Sequence, residues 1–227
     1  FFYGFFCIFW YTVVYMITLF YIPYITLSRD TVGTLDSLFL DMSAVGTELQ
    51  RLLIVIPDET PGEVLDECIA VCKTASDRIG IEFVLSGENP RMQLAQLSHI
   101  RQIVRVFIPD DGYYQPVERG ERNHVLDALP SFFAYGYEIG IMSTKNNPKT
   151  ILPLLGHVHT VLCMGAKKDV STTIRAVHDA YPTTSVATCM TSKDMTDAQL
   201  FPLVQGGLSV LYVPLSVVSF EWDTCTL

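Results

Sequence analysis

The sequence predicts a (β/α)8 barrel, and two observations carry the prediction. Short apolar, β-branched runs recur along the chain, and segments of helical periodicity separate them. The runs lie at 51–57 (RLLIVIP), 81–86 (IEFVLS), 102–108 (QIVRVFI), 137–142 (YEIGIM), 159–164 (HTVLCM), 184–189 (TSVATC) and 208–213 (LSVLYV). A weaker run, YITLS at 24–28, precedes them. Hydrophobicity this continuous suits strands buried on both faces of a parallel sheet. Strand–helix alternation through eight units points to a closed barrel at the compact end of that fold's size range. A doubly wound open sheet is the structural alternative.

The helical segments have their own signals. In 61–76, Thr60 is a candidate N-cap and Pro61 suits the first turn. Val64, Leu65, Cys68, Ile69 and Cys72 then share one face. Asp169 is a candidate cap for 170–181, with Ile174, Val177 and Ala180 or Tyr181 inward. Asp194 or Thr196 opens a helix carrying Leu200 and Leu203, and Gly206–Gly207 ends it.

The N-terminus has a different character. Residues 1–22 are almost wholly apolar, half of them aromatic, and before Arg29 the only ionisable side chains are Cys7 and tyrosines. At about 1.5 Å per residue such a helix reaches roughly 33 Å, enough to cross a bilayer core of about 30 Å. Pro23 would stop it, and Trp10, Tyr21 and Tyr24 suit an interface. A signal peptide would need a basic start, a shorter apolar run and a small-residue cleavage site, none of which is visible. The expected organisation is therefore a transmembrane helix over 1–23 and a barrel over 24–227, an integral single-pass protein contacting lipid through residues 1–22.

Composition excludes other classes. A net charge of −9 argues against nucleic acid, which demands clustered Lys and Arg. Six cysteines, at 7, 68, 72, 163, 189 and 225, are scattered and partly inside strand-like runs, as buried free thiols are. Phosphate-loop, dinucleotide, nucleophile-elbow and zinc-protease motifs are all missing.

Three weaker constellations remain. His157 and His159 would face one side of a strand and could begin a metal site, but no third ligand follows by spacing. Cys68 and Cys72 share a helix face without the C-x-x-C spacing of a redox pair, so packing is the better reading. Asp110, Asp111 and Gly112 follow the fourth strand at the barrel's usual catalytic face, and Lys167, Lys168 and Asp169 follow the sixth. Polar loops and caps look the same, and that plainer reading is preferred.

From about 24 to 215 the order of pieces resembles the ribulose-phosphate-binding barrels, most of all the ribulose-5-phosphate 3-epimerase family. AYGYEIGIMSTKNNPKTILPLLGHVHTVLCM and RAVHDAYP, within 134–182, resemble that family's fifth strand, an N-P-x-T-like turn, a helix and the sixth strand. IEFVLSGENPRMQLAQL resembles its third strand and E-P turn, LLIVIPDETPGEVLDECI its second strand and loop, and QGGLSVLYV the entry to its eighth strand. The resemblance implies a metal held by two His and two Asp, whose carboxylates exchange the proton at the substrate's C3. Those positions fall on Leu53, Val55, Val84 and Ala187, which neither ligate a metal nor move a proton. The family's phosphate loop falls on Gly165, Ala166, Lys167 and Lys168, its eighth-strand G-S near Pro214 and Leu215, and its first-strand Ser near Ile25.

The resemblance therefore implies the fold and argues against the activity. The expectation is a pseudoenzyme with no catalytic residue, cofactor or metal of its own. It would act as an accessory subunit among other subunits of a membrane complex, with respiratory or ATP-synthase assemblies of the mitochondrial inner membrane as candidate settings. The alternative is a membrane-tethered epimerase- or isomerase-like enzyme with a rearranged site drawn from Asp58, Glu59, Glu88, Asp110, Asp111 and Lys167. A third possibility is a module that binds a phosphorylated ligand without turning it over.

Overall fold

The computed structural model describes residues 3–5, 18–44, 50–86, 90–110, 125–164, 167–189 and 197–215. Within them a strand is followed by a helix again and again. A short strand β1 (Tyr3–Phe5) precedes β2 (Thr18–Thr26), α1 (Arg29–Ala44), β3 (Gln50–Ile56), α2 (Gly62–Thr74), β4 (Ile79–Leu85) and α3 (Pro90–Leu97). Then come β5 (Ile103–Pro109), α4 (Val125–Phe133), β6 (Glu138–Ser143), α5 (Pro148–Ile151) and β7 (Thr160–Cys163). The chain continues through α6 (Lys167–Ala180), β8 (Ser185–Cys189), α7 (Asp197–Gln205) and β9 (Leu208–Pro214).

Each strand from β2 to β9 lies parallel to the next, and β2 also pairs with β9 from Phe20↔Val210 to Tyr24↔Pro214. That last pairing closes the sheet into a barrel and excludes the open-sheet alternative. β1 lies antiparallel against the start of β2, from Tyr3↔Phe20 to Phe5↔Thr18.

This closure corrects the reading of the N-terminus. Thr18–Ile22, expected as the last turns of a transmembrane helix, form the first half of a barrel strand, and Pro23 lies inside that strand opposite Val213. The physical reason is the sheet edge. Without β2, both β3 and β9 would present unpaired backbone groups, and aromatic and β-branched residues suit the gap. Pro23 costs only the one N–H that proline lacks. Among the described residues no helix is long and apolar enough to cross a membrane. The rest of the expected span, 1–2 and 6–17, lies outside the described residues.

Most other elements fall within about two residues of expectation. The face of α2 is the one expected, with Val64, Leu65, Cys68, Ile69 and Cys72 all buried. Its first turn differs: Pro61 takes the cap position without a side-chain bond, and the Thr60 hydroxyl donates to Pro57 O instead. α6 starts two residues before the expected cap, so Asp169 sits in its first turn. Gly207 ends α7 with φ 108°, a left-handed turn that glycine adopts at no steric cost.

Strand alternation sorts the core into two shells. Leu52, Ile54 and Ile56 face outward and pack with α1 and α2 residues such as Leu35, Leu65 and Cys68. Ile22, Leu53, Val84, Phe107, Met142, Leu162, Ala187, Cys189, Val210 and Tyr212 face inward and fill the barrel. Phe107 and Tyr212 meet edge to face, ring centroids 6.1 Å apart at 87°. Gly140 makes room for this, because a Cβ there would lie 2.6 Å from Phe107 Cδ1.

Candidate functional site at the strand C-terminal mouth

The polar content of the barrel is distributed unevenly along its axis. Toward the N-terminal ends of the strands, Arg51 on β3 reaches Glu82 on β4 at 3.1 Å. Arg105 on β5 lies 3.6 Å from Glu82 and 2.9 Å from Glu138 on β6. Thr160 on β7 donates to Glu138 at 2.8 Å, and the Tyr212 hydroxyl donates to the fully buried Glu82. Burial works to raise the Glu138 carboxyl, but its bond from Arg105, that charge and the bond from Thr160 prevail and hold it below the usual range. The carboxylates and cations in this layer are occupied with one another.

The other end, where barrels of this type carry their chemistry, has an apolar floor and a polar rim. Tyr24, Val55 and Met164 are half-buried against the interior cluster that includes Met142 and Cys189. Burial, helped by the neighbouring Cys189, keeps the Tyr24 phenol protonated above its ordinary range. Burial pushes the Cys189 thiol up to about 12. Both are therefore neutral groups at pH 7, and Cys189 is no ready nucleophile.

On the rim, Asp110 follows β5 and is bound from four sides. Ser143 Oγ donates at 3.2 Å, Thr144 N and Thr144 Oγ1 each at 3.3 Å, and Thr150 Oγ1 at 2.8 Å. Asp110 thus ties the end of β6 to α5. Between those attachments Asn146 adopts φ 46°, a left-handed conformation that costs non-glycine residues energy. It is held there because its side-chain Nδ2 donates to Met164 O and its backbone carbonyl accepts from Thr173 Oγ1 at 2.6 Å. Asn147 then caps α5, its Oδ1 accepting from Lys149 N at 3.1 Å. The exposed Lys145 sits in the middle of this fixed loop.

The sequence-derived candidates separate on this geometry. Asp58 and Glu59 are exposed in the turn after β3, on the rim as expected. Asp110 is on the rim but saturated by hydrogen bonds, the plainer reading of that residue. Glu88, Asp111, Gly112, Gly165, Ala166, Asp194 and Thr196 lie outside the described residues. Lys167 and Lys168 are the first two residues of α6, with Asp169 exposed behind them. His157 and His159 are exposed in the turn before β7, at the barrel's opposite end. Among the described residues no three or more His, Cys, Asp and Glu are grouped to hold a metal. Leu53, Val84 and Ala187 are fully buried in the interior cluster, with Val55 half-buried above them.

Sequence reasoning missed Lys145, Asn146 and the Arg–Glu layer. A signal for the layer existed, since Glu82 and Arg105 are single charges inside apolar strand runs. No local pattern marks Lys145, whose setting depends on contacts from β5, β7 and α6.

Neither a known protein family nor a curated protein matches this sequence. Solved structures do match in fold. A protein provisionally described as a deoxyribose-phosphate aldolase from Coccidioides immitis superposes with a TM-score of 0.56 at 11% identity, over 88% of this chain and 81% of that one. Another, provisionally described as a fructose-1,6-biphosphate aldolase from the same organism, has a TM-score of 0.52 at 12% identity, over 86% of this chain and 74% of that one. At these identities the likeness establishes the barrel fold and nothing finer.

One expectation is corrected here. The expectation of a non-enzyme rests on four aliphatic epimerase ligand positions, Leu53, Val55, Val84 and Ala187. The barrels that share its fold are described as enzymes of a different kind, so loss of those ligands counts against one chemistry and not against catalysis.

Proposed function

We propose that this chain is a (β/α)8 enzyme acting at its strand C-terminal mouth on a small phosphorylated sugar or related carbonyl compound. The observation that carries the reading is the fixed loop of residues 144–147, where Asp110, Met164 O and Thr173 hold Asn146 in a left-handed turn and Lys145 stands exposed beside the mouth. Strained backbone held from several sides is a common feature of ligand-binding sites. Lys145 is exposed rather than desolvated in an apolar pocket, so it suits a phosphate better than it suits covalent attack on a carbonyl.

Tyr24 supplies the complementary donor. A neutral phenol at the floor can hydrogen-bond a carbonyl oxygen as negative charge develops on it. Asp58 or Glu59, across the rim, provides a carboxylate for proton transfer next to that carbonyl. Metal-held proton exchange of the epimerase kind has no donor at Leu53, Val55, Val84 or Ala187, so the reading favours aldol-type or isomerase chemistry. Both the pattern resemblance and the descriptions of the similar folds point to phosphorylated sugars.

The test combines binding and turnover. Pentose and hexose phosphates should raise the thermal midpoint, because a ligand bound only to the native state stabilises it. Lys145→Gln should abolish that shift, and Tyr24→Phe should lower kcat with a smaller effect on KM. If no sugar phosphate shifts the midpoint or is turned over, the proposal is wrong.

A further inference from the structure

A cavity of about 460 Å³ opens on the N-terminal face of the barrel, away from the mouth, between the loop leaving α2 and the loop leaving α3. It is lined by Lys73, Ala75, Asp77, His99, Arg101 and Gln102. Its volume is comparable to small-molecule sites, about 300–1,000 Å³, but it is an open groove in which Lys73, Asp77, His99 and Arg101 are exposed. Three of its six lining residues are basic, in a chain whose net charge is −9. Among the described residues, Lys73, His99 and Arg101 take part in no ion pair. Arg29, Arg51 and Arg105 each face a carboxylate, whereas Arg78, Arg91 and Arg175, like Arg101, are in no ion pair among the described residues.

The single carboxylate in the cavity is partly occupied. Gln102 Nε2 donates to Ala75 O at 3.0 Å, just past the end of α2, and weakly to Asp77 Oδ1 at 3.4 Å. The amide thus ties the two loops together and draws Asp77 toward itself. Lys73 also lies in the last turn of α2, where a cation offsets the helix dipole. That role explains one of the three basic groups. It does not account for His99 and Arg101, which come from the other loop and converge on the same space.

We infer that this cavity is a second ligand site, distinct from the mouth, which takes the phosphate group of a small molecule between Lys73 and Arg101 with His99 beside it. A phosphate matches the pair because guanidinium binds two of its oxygens in a fork while the ammonium acts as a point charge. The ligand is either free phosphate or a phosphorylated metabolite, and its phosphate makes the same contacts in both.

Calorimetric titration of the full chain with inorganic phosphate, and separately with a pentose phosphate, tests the site. Both should bind, and Lys73→Gln combined with Arg101→Gln should weaken binding at this site by about tenfold or more. The charge-retaining pair Lys73→Arg with Arg101→Lys should keep most of it, which guards against a folding defect. Lys145→Gln should leave this binding in place, so failure at the mouth and failure here are separable. Tighter binding of the pentose phosphate assigns the ligand to metabolites, and tighter binding of inorganic phosphate assigns it to the free ion. No binding to the chain carrying Lys145→Gln, or binding to that chain that survives the further substitutions Lys73→Gln and Arg101→Gln, overturns the inference.

Discussion

Arg105 Nη2 lies 2.9 Å from Glu138 Oε2, and the same guanidinium reaches Glu82 at 3.6 Å, so one buried arginine bridges strands β4 and β6. Ion pairs of this kind hold the N-terminal layer of the barrel in register. They also make that layer sensitive to the loss of any one member.

Arg105→Met should therefore cost about 1.5–3 kcal/mol in urea unfolding, because Glu138 loses its bond from Arg105 and the buried Glu82 is left with Arg51 as its one remaining cation. Replacing Arg105 and Glu82 together by apolar residues of similar volume should cost far less. Equal losses in the single and double variants would show that the pairing itself is not what matters.

The same layer predicts a pH dependence. The folded state holds the Glu138 carboxyl below its ordinary value, so its contribution is fully present above about pH 4.5. That contribution is lost as pH falls from there through the folded value. Glu138→Gln should narrow the stability difference from the unsubstituted protein as the pH drops through that window. A difference that grows on acidification would contradict the assignment.

Gly140→Ala places a Cβ 2.6 Å from two ring carbons of Phe107, inside a filled barrel. The ring cannot move freely, since Tyr212 packs against it at 87°. Overpacking of this kind costs about 1–3 kcal/mol, and Phe107→Leu in the same chain should recover part of it. Chemical denaturation of the single and double variants measures both effects.

Asp110→Ala removes the acceptor for Thr144 N, Thr144 Oγ1, Ser143 Oγ and Thr150 Oγ1. Loss of about 1–3 kcal/mol is expected, together with faster amide exchange at Thr144. Because the loop positions Lys145 in the proposed site, sugar-phosphate binding should also weaken in this variant. Unchanged exchange at Thr144 would mean that the loop is fixed by other contacts.

The buried thiols give a simpler check. Burial, with Asp110 nearby, pushes Cys163 up to about 12, burial alone does the same for Cys189, and Cys72 is raised by its bond with Cys68, 3.9 Å away, and by burial. Iodoacetamide at pH 8 should modify none of these in the native protein and all of them after unfolding, as read by peptide mass spectrometry.

Much of this architecture is legible along the chain. Apolar runs such as LLIVI and VLCM mark strands, and Val64, Leu65, Cys68, Ile69 and Cys72 mark a helix face, because burial imposes periods of 2 and 3.6 on neighbouring residues. The aromatic N-terminus shows where such reading stops. An apolar stretch satisfies a bilayer and a barrel interior equally well, and only the need of β3 and β9 for a partner decided that Thr18–Ile22 become a strand. The functional site was still less visible. At Asp110 a catalytic acid and a polar loop residue look alike in sequence, and the preferred loop reading gains its physical reason only from four donor groups 33 to 40 residues away. Lys145 carried no local signal at all. The sequence by itself determined the strand and helix periods, and hence the fold class. The tertiary structure alone decided where the chain begins its barrel, which charges are spent on one another and which loop is held rigid. The reason is physical: periodicity is a property of adjacent residues, whereas closure, charge pairing and loop strain are set by residues that meet only once the sheet has closed.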